Sequence, residues 1–223
     1  MRFIRNLGIL FFFLSLGLGG DRIAVATKVI GSVHYIREKG ESTILKKGHI
    51  FESGDILKTD KDSFAALIFI DDKSALKVKG NTEIIISGKR SAKAIAKEIN
   101  LYGGIIRAQM NKQQGGDFII RTSVSVASVK GTDFWLISDK NMGDSIIGIE
   151  GVVMLMNQKS GESLNITSGI TGFSTQDGAI QSFKTDPKTI PNDPTAGEGD
   201  DKKIEIEFKD ASGKRKTLII KYN

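Results

Sequence analysis

Along most of the chain, apolar and polar residues alternate in short runs that end on Gly, Asn, Asp or Ser. A period of two sends side chains to opposite faces of a β-strand, and these breakers are the residues turns need. Ile23, Val25, Val29, Val33 and Tyr35 alternate around Gly31, which predicts two short strands meeting there. Gly48 and Gly54 read as turn glycines at positive φ, with Asp55 bonding nearby amides. Phe64 to Ile70 is apolar throughout, the pattern of a strand buried on both faces. Asp71-Asp72-Lys73-Ser74 then reads as a hairpin turn, and Gly80-Asn81 turns the chain into Glu83 to Ile86.

Residues 89–101 carry two opposed signals. SAKAIAKEI favours helix by intrinsic propensity, yet Ile95, Ile99 and Leu101 keep a two-residue period with Lys93 and Lys97 on the same side. The surrounding strands decide for strand. The richest stretch is Phe118 to Ile137. Val124, Val126 and Val129 among Ser123, Ser125 and Ser128 predict a strand packed closely on a neighbour. Gly131-Thr132 interrupts, and Phe134-Trp135-Leu136-Ile137 resumes with the only Trp. A Gly between two β-rich runs predicts a bend or close backbone approach, so this stretch reads as a corner between two sheet segments. A faint similarity between Asp55–Thr59 and Asp117–Thr122 implies similarly shaped β layers but no repeat architecture.

Composition changes near residue 184. Pro187, Pro191, Pro194, Gly197 and Gly199 with clustered acids predict a flexible linker over 184–201. Ile204, Ile206 and Phe208, then Leu218, Ile220 and Tyr222, flank Asp210-Ala211-Ser212-Gly213 and predict a C-terminal β-hairpin over 202–223. Two strands are marginal alone, so this hairpin is expected to pack on its own domain or on a partner.

At the other end, Arg2 and Arg5 precede an apolar run from Leu7 to Leu18, the pattern of an export signal over residues 1–20. The run is shorter than the roughly 20 apolar residues of a spanning helix. Cleavage is expected after Gly19 or Gly20, with Ala24-Val25-Ala26 as a later alternative and an uncleaved anchor as the runner-up. Without the signal the chain keeps 30 basic residues (32 less Arg2 and Arg5) against 26 acidic, or +4. The charges are interspersed, without the long basic stripe and interleaved aromatics of a nucleic-acid surface, so no nucleic-acid partner is expected. No Cys occurs, which removes disulfides, thiol chemistry and the lipid-attachment Cys of a lipoprotein. A periplasmic or otherwise exported protein of the bacterial envelope, not integral to the membrane once processed, fits these features.

Candidate chemistry is sparse. His34 and His49 are far apart in sequence and lack the thiolate companions of a metal site. The carboxylates Asp71, Asp72, Glu150, Asp177, Asp200 and Asp201 lie in turns or the linker, where local hydrogen bonding explains them. No strained nucleophile turn or phosphate loop is present. Phe134 and Trp135 adjoin, so they face opposite sides of a strand. Core or inter-sheet packing of both is the first expectation, and Trp135 is the alternative surface contact, able to stack on a sugar ring.

One stretch, Thr122 followed by Ala127-Ser128-Val129-Lys130-Gly131-Thr132 and Phe134, resembles the signature of the FecR-type periplasmic domain. That family usually has Arg at the position of Lys130 and Pro at that of Ser123. Gly54-Asp55 to Thr59, Asp72-Lys73-Ser74 with Leu76, Leu101 with Gly104 to Arg107, and Glu150-Gly151-Val152 resemble its other landmarks in order. The resemblance runs from about Val29 to Ser182. It implies an all-β domain of many short antiparallel strands, solenoid-like or a twisted double sheet, over 27–183. It also implies no catalytic residues and no cofactor. Thr122, Ala127, Val129, Lys130, Gly131, Thr132 and Phe134 are then expected to be structural. The sensor relatives carry a cytoplasmic anti-sigma segment and a membrane helix ahead of the domain, and a receptor-contacting domain after it. This chain is expected to be a stand-alone exported member. The function expected is a non-enzymatic interaction or scaffolding module with an envelope protein partner. The alternatives are a carbohydrate or peptidoglycan binder and a signalling component linked to an outer-membrane receptor.

Overall fold

Alternation of the kind just described builds β-strands almost everywhere in the computed structural model, which describes residues 21–91, 94–111, 118–195, 202–209 and 213–222. The expected export signal lies outside the described residues. The first strands are β1 (Arg22–Ile30), β2 (Val33–Ile36), β3 (Thr43–Ile44), β4 (Ile50–Glu52), β5 (Asp55–Thr59) and β6 (Phe64–Phe69). There follow β7 (Ala75–Lys79), β8 (Thr82–Arg90), β9 (Ile95–Leu101), β10 (Gly104–Gln109), β11 (Phe118–Arg121) and β12 (Ser125–Val129). The last are β13 (Asp133–Asp139), β14 (Gly143–Glu150), β15 (Val152–Asn157), β16 (Ser163–Thr167), β17 (Ile170–Ser174) and β18 (Ile180–Lys184), then β19 (Lys202–Lys209) and β20 (Arg215–Tyr222).

β1 to β18 form two nine-stranded sheets. Sheet A has the order β18-β17-β14-β13-β10-β7-β6-β1-β4, and sheet B the order β16-β15-β12-β11-β9-β8-β5-β2-β3. Their inner faces share one core running from Ile23 and Phe51 through Leu76, Ile106 and Phe134 to Ile166. The expected double sheet is therefore present, in its sandwich form. β6 is buried at every residue, as its unbroken apolar run demands. Residues 95–101 are strand despite their helix propensity, because Ile95, Ile99 and Leu101 reach the core only with a period of two. β1 runs inside sheet A with Ile23 to Ala26 fully buried. Cleavage at the later alternative, Ala24-Val25-Ala26, would take these four residues out of the core.

The chain passes between the sheets at corners and turns back within a sheet at hairpins. In the first half the corners at Gly31, Asp60, Asn81 and Gly103 stack at one end of the sandwich, while Ser53-Gly54 carries β4 of sheet A to β5 of sheet B at the other. The Gly31-Ser32 corner meets Asp60 and Ser63, Asn81 donates to the Asp60 carbonyl (3.2 Å), and Glu83 donates to the Gly103 carbonyl (3.3 Å). In the second half they stack at the other end, at Gly131, Gly151 and Gly169. The reversal comes from the one parallel pair among the described residues, β9 with β11, a departure from the antiparallel expectation. β10 lies in sheet A and the next strand, β11, in sheet B, where it runs alongside β9 in the same direction. Asp55–Thr59 and Asp117–Thr122 are not equivalent units. β5 is followed by a crossing to sheet A, whereas β11 is followed by a hairpin to β12 within sheet B.

The expected hairpin is present as β19 paired with β20 in a separate two-stranded sheet, with Ile204 opposite Ile220 and Ile206 opposite Leu218. The expected linker needs correction in its first part. Thr185 donates to the Gly169 carbonyl (2.9 Å), Asp186 caps a 3₁₀ turn over Pro187–Thr189, and the segment reaches β7, where Asp193 is buried. Residues 196–201 lie outside the described residues.

Candidate functional site

The corner stretch is built as an anchor. The Thr122 hydroxyl accepts from Val124 N (3.0 Å) and Ser125 N (2.8 Å), closing the β11–β12 turn, and donates to the fully buried Asp144 at the start of β14. It thus ties sheet B to sheet A through the core. Ala127, Val129 and Phe134 lie in the shared core. Lys130 is exposed, Gly131 turns the chain at φ 65°, and the buried Thr132 accepts from Met110 N (2.8 Å) through its carbonyl. Seven residues picked out by resemblance come together here.

Trp135 lies elsewhere. It is 1% exposed, so the sequence-based choice of it as a surface contact is corrected. It is also outside the main core, because alternation sends Phe134 and Leu136 inward and Trp135 to the outer face of sheet A. Strand register sets Lys77, Arg107, Trp135, Ile147 and Thr171 in one row across β7, β10, β13, β14 and β17. Residues 185–195 run along this row as a strap. Thr185 and Thr171 share a hydroxyl hydrogen bond (2.9 Å) at one end. At the other, the Asp193 Oδ2 accepts from Lys77 Nζ (2.7 Å) and Arg107 Nη1 (2.6 Å), and Lys79 Nζ donates to the Asn192 carbonyl (2.8 Å).

Arg107 is pre-oriented for that contact. Asp133 takes its Nε (2.8 Å) and Nη2 (2.7 Å) in a fork, and Gln109 Nε2 braces Asp133 (3.0 Å). The guanidinium lies 5.6 Å from the Trp135 ring centre, with Lys79 Nζ at 6.0 Å. The hydrogen bond to Asp133 raises the Arg107 pKa against the opposing cost of burial. Burial pushes the Asp193 carboxyl up, but hydrogen bonds from Lys77 and Thr195 outweigh it and hold the group well below the usual carboxylate range. Arg107 appeared among the family landmarks, but nothing in the sequence connected it to Asp193.

The remaining candidates do not assemble into a reactive centre. His34 sits in β2, and His49 is half-buried between Tyr35 (3.9 Å) and Phe51 (4.9 Å). Burial and the nearby Arg37 charge lower the His49 pKa. Asp71 and Asp72 both accept from Lys97 Nζ (2.9 and 2.8 Å), whose side chain is wholly buried and lies 5.3 Å from the Phe69 ring centre. Among the described residues no cluster of three or more His, Asp or Glu is placed to hold a metal ion. A polar groove of about 480 Å³ lies where the first-half corners meet the β13–β14 hairpin, lined by Lys58, Asp60, Glu83, Tyr102, Ser138 and Lys140 among others. Its Lys58–Glu83 ion pair (3.1 Å) is exposed. Among the described residues no helix is long and apolar enough to cross a membrane.

Comparison with known proteins bears on the body of the sandwich. The family described as FecR protein matches residues 55–154, from β5 into β15. A crystal structure of a candidate anti-sigma factor from Parabacteroides distasonis superposes with a TM-score of 0.51 at 12% identity, covering 60% of this chain and 61% of that one. A second crystal structure from that organism, again of a candidate anti-sigma factor, gives a TM-score of 0.49 with the same identity and coverage. This chain therefore spans about 61% of the length of the protein it superposes on, and the likeness is one of fold. No curated protein sequence matches the chain. The corner stretch, the Arg107–Asp133 fork and the Lys97 contacts to Asp71 and Asp72 all fall inside the span, residues 55–154, over which this chain is similar to the FecR family.

Proposed function

We propose that this protein is an exported, non-enzymatic component of the bacterial envelope that acts by binding another protein. The similarity of residues 55–154 to the FecR family is the observation that supports the reading, because that resemblance implies a binding domain of the bacterial envelope. The apolar run after Arg2 and Arg5 supports export, and the lack of Cys accords with a protein that is not lipid-anchored. The carbohydrate alternative loses its main support, since it relied on an exposed Trp135. The fold likeness to a candidate anti-sigma factor favours one second reading, a link to sigma-factor or receptor signalling.

The test is in-cell crosslinking of the tagged full chain in fractionated envelopes, with partners identified by mass spectrometry. Recovery of one envelope protein from the periplasmic side is expected. A purely cytoplasmic set of partners would overturn the reading. The strap places the informative truncation after Thr195, so that residues 185–195 stay in place. If the hairpin is the contact, removing residues 196–223 weakens partner recovery without lowering Tm, and unchanged recovery assigns the contact to the FecR domain itself.

A further inference from the structure

On the outer face of sheet A, two cations converge on one oxygen. Arg107 Nη1 and Lys77 Nζ both donate to the Asp193 Oδ2, at 2.6 and 2.7 Å. Arg107 is fixed by Asp133 independently of the strap, so its free edge points at that position whether or not Asp193 is there. The other carboxylate oxygen accepts from Thr195 N (2.9 Å) and Thr195 Oγ1 (2.8 Å), a local turn that presents the acid. Around it, Lys79 binds the Asn192 carbonyl, and Trp135 forms an aromatic floor under Lys79 and Arg107. This is how an extended acidic peptide is recognised: a pre-formed charge fork, a main-chain contact beside it and an apolar floor.

The chain's own segment fills that site by a narrow hold. Residues 186–190 are all exposed, Asn192 and Pro194 also, and only Asp193 is buried. The strap's own side chains contribute little apolar surface, so its attachment rests on the charged contacts at Asp193 together with the cover it gives Trp135, which is 1% exposed. Removing the strap would leave Lys77, Lys79 and Arg107 facing Asp133 alone, a local excess of two positive charges. Such a surface suits an acidic ligand.

We propose that the Lys77–Lys79–Arg107–Trp135 face is a binding site for an extended acidic segment of a partner protein, and that the strap around Asp193 occupies it in cis until displaced. The inference rests on the reading of this protein as a protein-binding module and names the kind of segment it binds. Binding in trans follows from the geometry, because nothing in the fork requires the carboxylate to arrive on the same chain.

The purified full chain tests this, with Trp135, the only Trp, as the reporter. Asp193→Ala is expected to shift Trp135 emission to the red and to speed tryptic cleavage after Lys188, with the melting temperature of the sandwich nearly unchanged. A synthetic peptide of residues 187–195 is expected to reverse the shift on Asp193→Ala. It should bind that variant more than about tenfold tighter than the wild type, since the wild-type site is already filled. Its Asp-to-Asn counterpart should not bind, and Lys77→Met added to Asp193→Ala should abolish binding. An unchanged emission and cleavage rate in Asp193→Ala, or failure of the peptide to bind it, would overturn the proposal. A wild-type chain that dimerises with concentration in light scattering, and loses this in Asp193→Ala, would replace the partner with a second copy exchanging straps. Failure of the peptide leaves the crosslinking test of an envelope partner untouched.

Discussion

The stacked corners and the strap both bring distant parts of the chain together, but by different physics. At a corner the contact is backbone on backbone. A Cβ at Gly151 would stand 2.7 Å from the Gly131 carbonyl oxygen and 2.7 Å from Thr132 Cγ2, in a conformation of φ 77° that side chains resist. At the strap the contact is a carboxylate held by two cations, on a segment that is otherwise exposed. Corners are therefore part of the cooperative fold, where substitution is felt globally. The strap is a local attachment that opens by itself, at the low end of the range of local stabilities.

The most damaging way to probe the contrast is at the corners. Gly151→Val is expected to lose about 4 kcal/mol, combining strained φ with the clash on Gly131. Gly131→Val, at φ 65°, should lose about 2 kcal/mol through backbone strain. Denaturant unfolding measures both, and a wild-type midpoint at either position would break the stacked-corner account. Lys97→Ala is next. It strips the cation from Asp71 and Asp72, which are 13% and 17% exposed, and should cost about 3 kcal/mol. Lys97→Ala with both aspartates changed to Asn should recover most of that loss. No recovery would mean that the buried stem, not the charge, is what matters.

Thr122→Val is milder. It keeps the shape but removes the hydroxyl that caps the β11–β12 turn and contacts Asp144, for an expected loss of about 1–2 kcal/mol. A wild-type Tm in that variant would show that the link between the sheets contributes nothing. Against these, Asp193→Ala should move the midpoint by less than the Thr122 change, which is the sharpest form of the comparison.

What was legible in the sequence divides along the same line. Strands were readable because alternation is local, and even β9 could be recovered from Ile95, Ile99 and Leu101 against its helix propensity. Turns were readable too. Their kind was not: Gly80-Asn81 makes a corner between sheets, Asp177-Gly178 a hairpin within one, and both are spelled in the same residues. So the assignment of strands to sheets, and the reversal at β11, stayed hidden. The strap was misread because Pro and Asp in a row describe a solvated linker equally well. Asp193 finds its partners 86 and 116 residues away, beyond any local pattern. The burial of Trp135 follows from that unseen outer layer.

Acid separates the two regions with the smallest effect. Asp193 is held below its ordinary value, so the strap's attachment is complete above the free-carboxylate pKa of about 3.9 and is lost as pH falls below it. His49 works in the opposite part of the range. Its pKa is lowered by burial between Tyr35 and Phe51, so the folded body binds this proton less readily than the unfolded chain does. Its contribution is intact above about pH 6.5 and erodes as pH falls through that value towards the lower folded pKa. Between pH 7 and 5 the Tm should therefore decline modestly while Trp135 emission stays constant, and the red shift should begin only below about pH 4. His49→Phe should flatten the Tm profile in the upper window and leave the emission profile alone. An emission change that begins near pH 6 would mean that the strap is held by something other than the Asp193 carboxylate.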